Sequence, residues 1–222
     1  MKNDINIKEI AILKNLYLLK SLGYQYIDFS LKYQNSQTDI IDNDITSLQK
    51  RIKNCHLCDF SKSRKQSMTG FGSYNADLMI VDFTVSEIED NENGYFKGRN
   101  GKMLKDMIKN VLELDINDIF YTHIIKCKPL SKNSNFEKAA LACKSYLYSQ
   151  IKLIKPKIIV TLGENAYYYL TNEKQGFENV RGHIIELKDY KLVPIYHPLF
   201  ILRNPNLKKI VYQDLKTIKS CL

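Results

Sequence analysis

From Thr46 to the C-terminus, short apolar runs rich in strand formers alternate with amphipathic helical stretches, and few folds accommodate that alternation. Leu78-Met79-Ile80-Val81, Ile119 to Ile125 and Lys157 to Leu162 read as buried strands. A short helix around Leu48 to Ile52 precedes them. Between them lie an amphipathic helix over Lys102 to Leu114 and a longer one over Phe136 to Ile154, stopped by Pro156. Glu164 to Leu170 reads as a helix, His183 to Leu187 and Leu192 to Tyr196 as two further strands, and Leu207 to about Ser220 as a closing helix. This order implies an α/β architecture, a three-layer α/β/α sandwich with a largely parallel central sheet. Ligands of such sheets bind beyond the carboxyl ends of the strands. Three loops qualify: Asp82 to Gly101, Lys126 to Asn135 and His197 to Pro205.

Residues 1–46 read as a helical extension and linker ahead of a domain over 47–222. Ile7, Ile10, Ala11, Leu13, Leu16, Tyr17 and Leu18 recur at helical spacing, and Gly23 is a plausible stop. Tyr24 to Tyr33 reads as a short second helix, and Asn35 to Asp44 is polar and without period. No apolar run approaches the roughly 20 residues that cross a bilayer. The opening Met1-Lys2-Asn3-Asp4 is unlike a secretory signal, so a cytoplasmic, monomeric protein with no membrane partner is expected. The net charge of +9 favours a polyanion such as DNA, because neutralised phosphates release counterions. The basic residues are scattered rather than blocked, so charge alone is a weak pointer.

Five cysteines make a disulfide framework improbable. Cys55 and Cys58 form a C-x-x-C pair, and Cys127 and Cys143 follow singly far downstream. Two thiolates on one turn chelate a metal, and two single cysteines can complete four ligands. A zinc ribbon would present a second C-x-x-C pair, and its absence tilts the reading toward an iron–sulfur cluster. Four unrelated buried thiols remain the alternative. Cys221, at the C-terminus, reads as a bystander.

Taken in order, a series of motifs resembles the family 4 uracil-DNA glycosylases over about four-fifths of the chain, from Thr46 onward. The series comprises Cys55-x-x-Cys58, Phe71-Gly72, Ala76-Asp77-Leu78-Met79-Ile80-Val81, Glu89-Asp90, Phe96-x-Gly98-Arg99-x-Gly101 and Lys126-Cys127-Lys128-Pro129. It continues with Cys143, Lys155-Pro156-Lys157, Leu162-Gly163, Arg181-Gly182 and His197-Pro198 through Leu202-Arg203-Asn204-Pro205. The resemblance implies that Cys55, Cys58, Cys127 and Cys143 hold a [4Fe–4S] cluster with a structural role, redox work being the lesser alternative.

Base removal breaks an N-glycosidic bond through an oxocarbenium-like sugar after the nucleotide is flipped, at a cost of roughly a few kcal/mol. The chemistry calls for an aromatic face, a donor to the departing base, and a carboxylate to place water or face the cationic sugar. By resemblance Phe96 is the stacking ring and His197 the donor, a kind of contact that contributes roughly 3 kcal/mol. The loop after His197 resembles a segment that wedges into duplex DNA. DNA contacts accordingly fall to Leu202, Arg203, Asn204 and Arg99.

Two positions depart from the family. Its Gly-Glu-Ala-Pro-Gly stretch reads Asp82-Phe83-Thr84-Val85-Ser86 here, so Phe83 stands where the carboxylate should be. Asp82 is the nearest replacement. Neighbours leaving a strand point to opposite faces, so Asp82 is expected to serve only if the loop is rebuilt. Glu87, Glu89 and Asp90 are further candidates. His123 replaces the family's uracil-reading asparagine, and an imidazole cannot offer an adjacent donor and acceptor to one base edge. Losing such a paired contact is worth about 1–3 kcal/mol. Three functions follow: a glycosylase for uracil or another deaminated base, a non-catalytic iron–sulfur DNA-binding module of the same fold, or a zinc-stabilised interaction protein. The cysteine spacing and the His197 loop speak against the third; Phe96 and His197 favour the first, and the missing acid and asparagine favour the second or a new substrate.

Overall fold

A computed structural model describes residues 44–131, 134–173 and 176–222. The expected helices between Ile7 and Tyr33, and the linker up to position 43, lie outside the described residues.

The helix α1 (Ile45–Lys53) starts where the Asp44 carboxylate accepts from the Ser47 amide. The strands are β1 (Phe71–Gly72), β2 (Leu78–Thr84), β3 (Phe120–Ile125), β4 (Ile158–Leu162), β5 (Ile185–Glu186) and β6 (Lys191–Ile195). Between and after them come α2 (Glu87–Glu92), α3 (Gly98–Met107), α4 (Phe136–Ile154), α5 (Gly163–Thr171), α6 (Phe177–Val180), α7 (Pro198–Arg203) and α8 (Lys208–Lys219). The sheet order is β1-β3-β2-β4-β6-β5. The four inner strands run parallel and the two short edges antiparallel. Every residue of β3 and β4 is buried, as a parallel sheet covered on both faces requires.

Alternation along β3 separates the two covering layers. Thr122 donates to Gln150 of α4, whereas Tyr121 and His123 face Tyr95 and Phe96 in the segment leading to α3. On the first face α4 packs on β3 and α5 on β2 and β4, with α1 outside α4 through Leu48, Ile52 and Tyr146. On the other, α3 meets α7, and α8 packs on β6. The expected sandwich and its parallel sheet are therefore present.

Three local expectations change. The helix over Lys102 to Leu114 begins earlier, at Gly98, passes into a π-helical turn over Ile108–Leu112, and ends where Glu113 adopts a left-handed conformation. The first and third candidate loops each contain a helix, α2 and α7. Strand β2 runs on to Thr84 rather than stopping at Val81, which settles the direction of Asp82. Among the described residues no helix is long and apolar enough to cross a membrane.

Candidate active site

The carboxyl ends of β2, β4 and β6 open into a cleft of about 510 Å³. Asp82 and Phe83 of β2, Glu89 of α2, Gly163 at the start of α5 and His197 at the start of α7 are among its lining. Asp82 pairs in register with His123 of β3, so the sheet itself aims the carboxylate. This corrects the expectation of a rebuilt loop. The pleat turns Asp82 toward His197, and Phe83 toward Tyr169 of α5, on which it stacks at 5.0 Å while still lining the cleft.

Asp82 Oδ2 lies 3.3 Å from His197 Nε2 and accepts from the Tyr121 hydroxyl at 3.0 Å, and Oδ1 accepts from the Phe83 amide at 2.6 Å. His197 caps α7, its Nδ1 accepting from the Leu199 amide at 3.0 Å. That bond leaves Nε2 as the protonated nitrogen facing Asp82. Burial pushes the Asp82 carboxyl up, but His197, His123 and the Phe83 amide together hold it below its ordinary range. Burial likewise opposes charge on His197, and Asp82 and Glu89 outweigh it, raising the imidazole. Glu89 closes a capping box with Ser86 and stands 3.5 Å from His123 Nε2. Burial pushes its carboxyl up, and His123 and Ser86 bring it below the ordinary value.

The sign of the pH effect follows. A carboxyl depressed in the folded state stabilises fully above its unfolded value, here 3.8 for Asp82 and 4.5 for Glu89. That stabilisation is lost as pH falls through the depressed folded values. Urea midpoints of the native chain should therefore drop steeply below pH ~4, and Asp82→Asn should flatten the acid limb. An unchanged slope in the variant would remove Asp82 from the network.

Behind the cleft wall lies an aromatic layer. Tyr121 lines the cleft, whereas Phe96 and His123, both touching its ring, do not. Phe96 is 5% exposed and His123 0%. Phe96 has a left-handed backbone, and Gly101 packs so closely on that backbone that a Cβ there would overlap it. His123 Nδ1 is buried with no hydrogen-bond partner among the described residues. Arg99, Leu202, Arg203 and Asn204 are all exposed, the first on α3 and the others at the end of α7. Beside them Leu199 and Phe200 also present apolar surface at the cleft rim. Sequence reasoning passed over Tyr121, Leu199 and Phe200. The clue for the last two was a five-residue apolar run, Pro198 to Leu202, of which only Pro198 and Ile201 are buried.

The cysteines gather on the side of the sheet end reached by the second loop. Cys127 and Cys143 are buried, and Cys55 and Cys58 half-buried. Cys127 lies within electrostatic range of Cys58 and Cys55, and Cys143 of Cys127 and Cys58, so the four thiols share one corner. Burial pushes the Cys143 thiol up to about 12. Arg64 donates to Cys127 Sγ at 2.9 Å and to the Cys55 carbonyl at 2.6 Å, clasping the two segments together. Among the described residues no three His, Cys, Asp or Glu side chains converge on a point that one metal ion would occupy. A polynuclear cluster spreads its ligands wider than an ion does. Four thiols with a guanidinium donating to one sulfur are the donor set that an anionic iron–sulfur group takes. The residues present fit it.

Asp90, beside Glu89 on α2, is 1% exposed and accepts from the Lys65 and Gln66 amides, next to Arg64. One turn of helix thus touches both the cleft and the segment that clasps the cysteines.

The family model described as "Uracil DNA glycosylase superfamily" matches residues 69–216. The chain is similar to the Type-4 uracil-DNA glycosylase of Sulfurisphaera tokodaii, with 34% identity covering 80% of this chain and 84% of that one. It is also similar to the proteins of that name from Saccharolobus solfataricus, at 34% identity over 77% and 83%, and Thermotoga maritima, at 29% over 78% and 92%. With the parallel sheet, the cleft at its carboxyl end and the matched span in agreement, the chain belongs to the uracil-DNA glycosylase superfamily.

Proposed function

We propose that this chain is a DNA glycosylase that, as a monomer, binds DNA and hydrolyses the N-glycosidic bond of an extruded uracil or other deaminated base in base-excision repair. The observation that carries the reading is the His197–Asp82 pair, 3.3 Å apart at the wall of the cleft. As the bond lengthens, positive charge grows on the sugar and negative charge on the departing base. Asp82, held ionised, faces the cation or orients the attacking water, and His197 turns its Nε2 proton from Asp82 to the base. The exposed Leu202, Arg203 and Asn204, with Arg99, grip the strand and its phosphates. Cys55, Cys58, Cys127 and Cys143 would hold a [4Fe–4S] cluster. When bound, the cluster ties these segments together and takes no part in the bond that breaks.

One observation favours a second reading, a DNA-binding module without turnover: Tyr121 stands between the cleft and both Phe96 and His123. Single-stranded and mismatched oligonucleotides carrying uracil, hypoxanthine or xanthine separate the two. Abasic product from at least one of them is expected. Tight binding with no product from any would leave the second reading in place.

A further inference from the structure

We propose that Tyr121 is the specificity-determining residue of the cleft: its phenol ring occupies the slot against Phe96 and His123 that a pyrimidine would need, and so closes that slot to uracil. The inference rests on the glycosylase reading and narrows it to deaminated bases other than uracil.

Three contacts define the slot. The Tyr121 ring lies 4.6 Å from the Phe96 ring at 31°, close enough to cover the face a flipped base would stack on. It meets the His123 ring edge-on at 5.0 Å. Its hydroxyl donates to Asp82 at 3.0 Å and stands 3.4 Å from His123 Nε2. A phenol is a six-membered ring with one exocyclic oxygen, close in shape to a pyrimidine carrying one carbonyl. Tyr121 thereby stacks where a base would stack, and its oxygen meets the groups that would read a base edge. Burial, with Asp82 and Glu89 adding to it, pushes the phenol well above its ordinary range, so this donor keeps its proton. The ring is anchored by the strand beneath it and by the Tyr95 ring at 6.0 Å. What remains open is the outer cleft, walled by Phe83, Asp82, His197 and the part of the buried Tyr121 that lines it. A base entering there is held by those groups and not by Phe96.

The test is calorimetric titration of the full-length chain with free uracil, comparing the wild type with Tyr121→Phe, Tyr121→Ala and Tyr121→Val. The phenylalanine variant keeps the ring without the hydroxyl. The other two empty the slot, and valine preserves the strand preference should alanine fail to fold. Emptied, ring-sized cavities take up ring-shaped ligands. Tyr121→Ala and Tyr121→Val should therefore bind uracil at least about tenfold more tightly than the wild type and Tyr121→Phe. Uracil binding equal in the wild type and Tyr121→Ala would overturn the proposal, as would admission by Tyr121→Phe as readily as by Tyr121→Ala. Excision rates from matched oligonucleotides supply the measurement that needs no variant: hypoxanthine release by the wild type should exceed uracil release by about tenfold or more. Equal rates would sink the slot assignment and leave the glycosylase reading standing. No release from any oligonucleotide, with uracil still bound by Tyr121→Ala, would sink the glycosylase reading and leave the slot assignment standing.

Discussion

Replacing His197 with alanine lowers base release by roughly 100- to 1,000-fold, the cost of removing one donor aimed at charge that exists only in the transition state. DNA affinity should change little, because the residues proposed to grip the strand, the exposed Leu202, Arg203 and Asn204, lie beyond it. Single-turnover release from a hypoxanthine oligonucleotide, run beside a gel-shift titration, reads both quantities. The loss should fall on the chemical step with binding preserved. An equal loss of both would make His197 a structural cap. Its Nδ1 does accept from the Leu199 amide, so the comparison needs His197→Asn, which can still cap α7. His197→Asn should fold like the wild type and still lose most of the release.

The second large effect is expected at the sulfur corner. Anaerobically purified chain should contain iron and acid-labile sulfide in equal amounts, and Cys127→Ser should lose both. Cys127 sits in the loop after β3 and receives the Arg64 guanidinium, which also holds the Cys55 carbonyl. Losing the group that joins these segments leaves Cys143, a buried thiol, without the charge that would keep it ionised. Loss of a structural metal is among the few single changes that cost about 4 kcal/mol or more. At roughly 2–4 °C per kcal/mol for a chain of this size, the thermal midpoint should fall by about 8–16 °C. Cys221→Ser should leave the iron content intact. Zinc at one per chain with no sulfide would end the cluster assignment, and iron retained in full by Cys127→Ser would remove that residue from it.

Much of this architecture was legible before any coordinates. The inner strands announce themselves because a parallel sheet buried on both faces demands nearly continuous apolar runs, as in Ile158 to Leu162, interrupted only by Thr161. The two helices in the cleft loops carry local signals of their own. Ser86-x-x-Glu89 spells a capping box, and Pro198 after His197 marks a first helical position. Other features were out of reach for a different reason. The direction of Asp82 depends on its register opposite His123, and register is a property of two strands rather than one. Tyr121 carries no signal of its own, because its meaning lies in Asp82, 39 residues earlier, and in His197, which lies 115 residues beyond Asp82 and joins it only in the fold. Phe96 shows the converse. The motif around it matches the family, yet what covers its ring sits on another strand.

Glu89 and Asp90 are neighbours on a single turn of α2, one looking into the cleft and the other fastening the amides of Lys65 and Gln66. Substitutions at either place consequently act on the same helical turn. If the proposed cluster were lost, the demand for an acid at 90 would relax, and the freed turn would loosen the adjoining acid. The two carboxylates should therefore respond to substitution as a coupled pair rather than as independent sites.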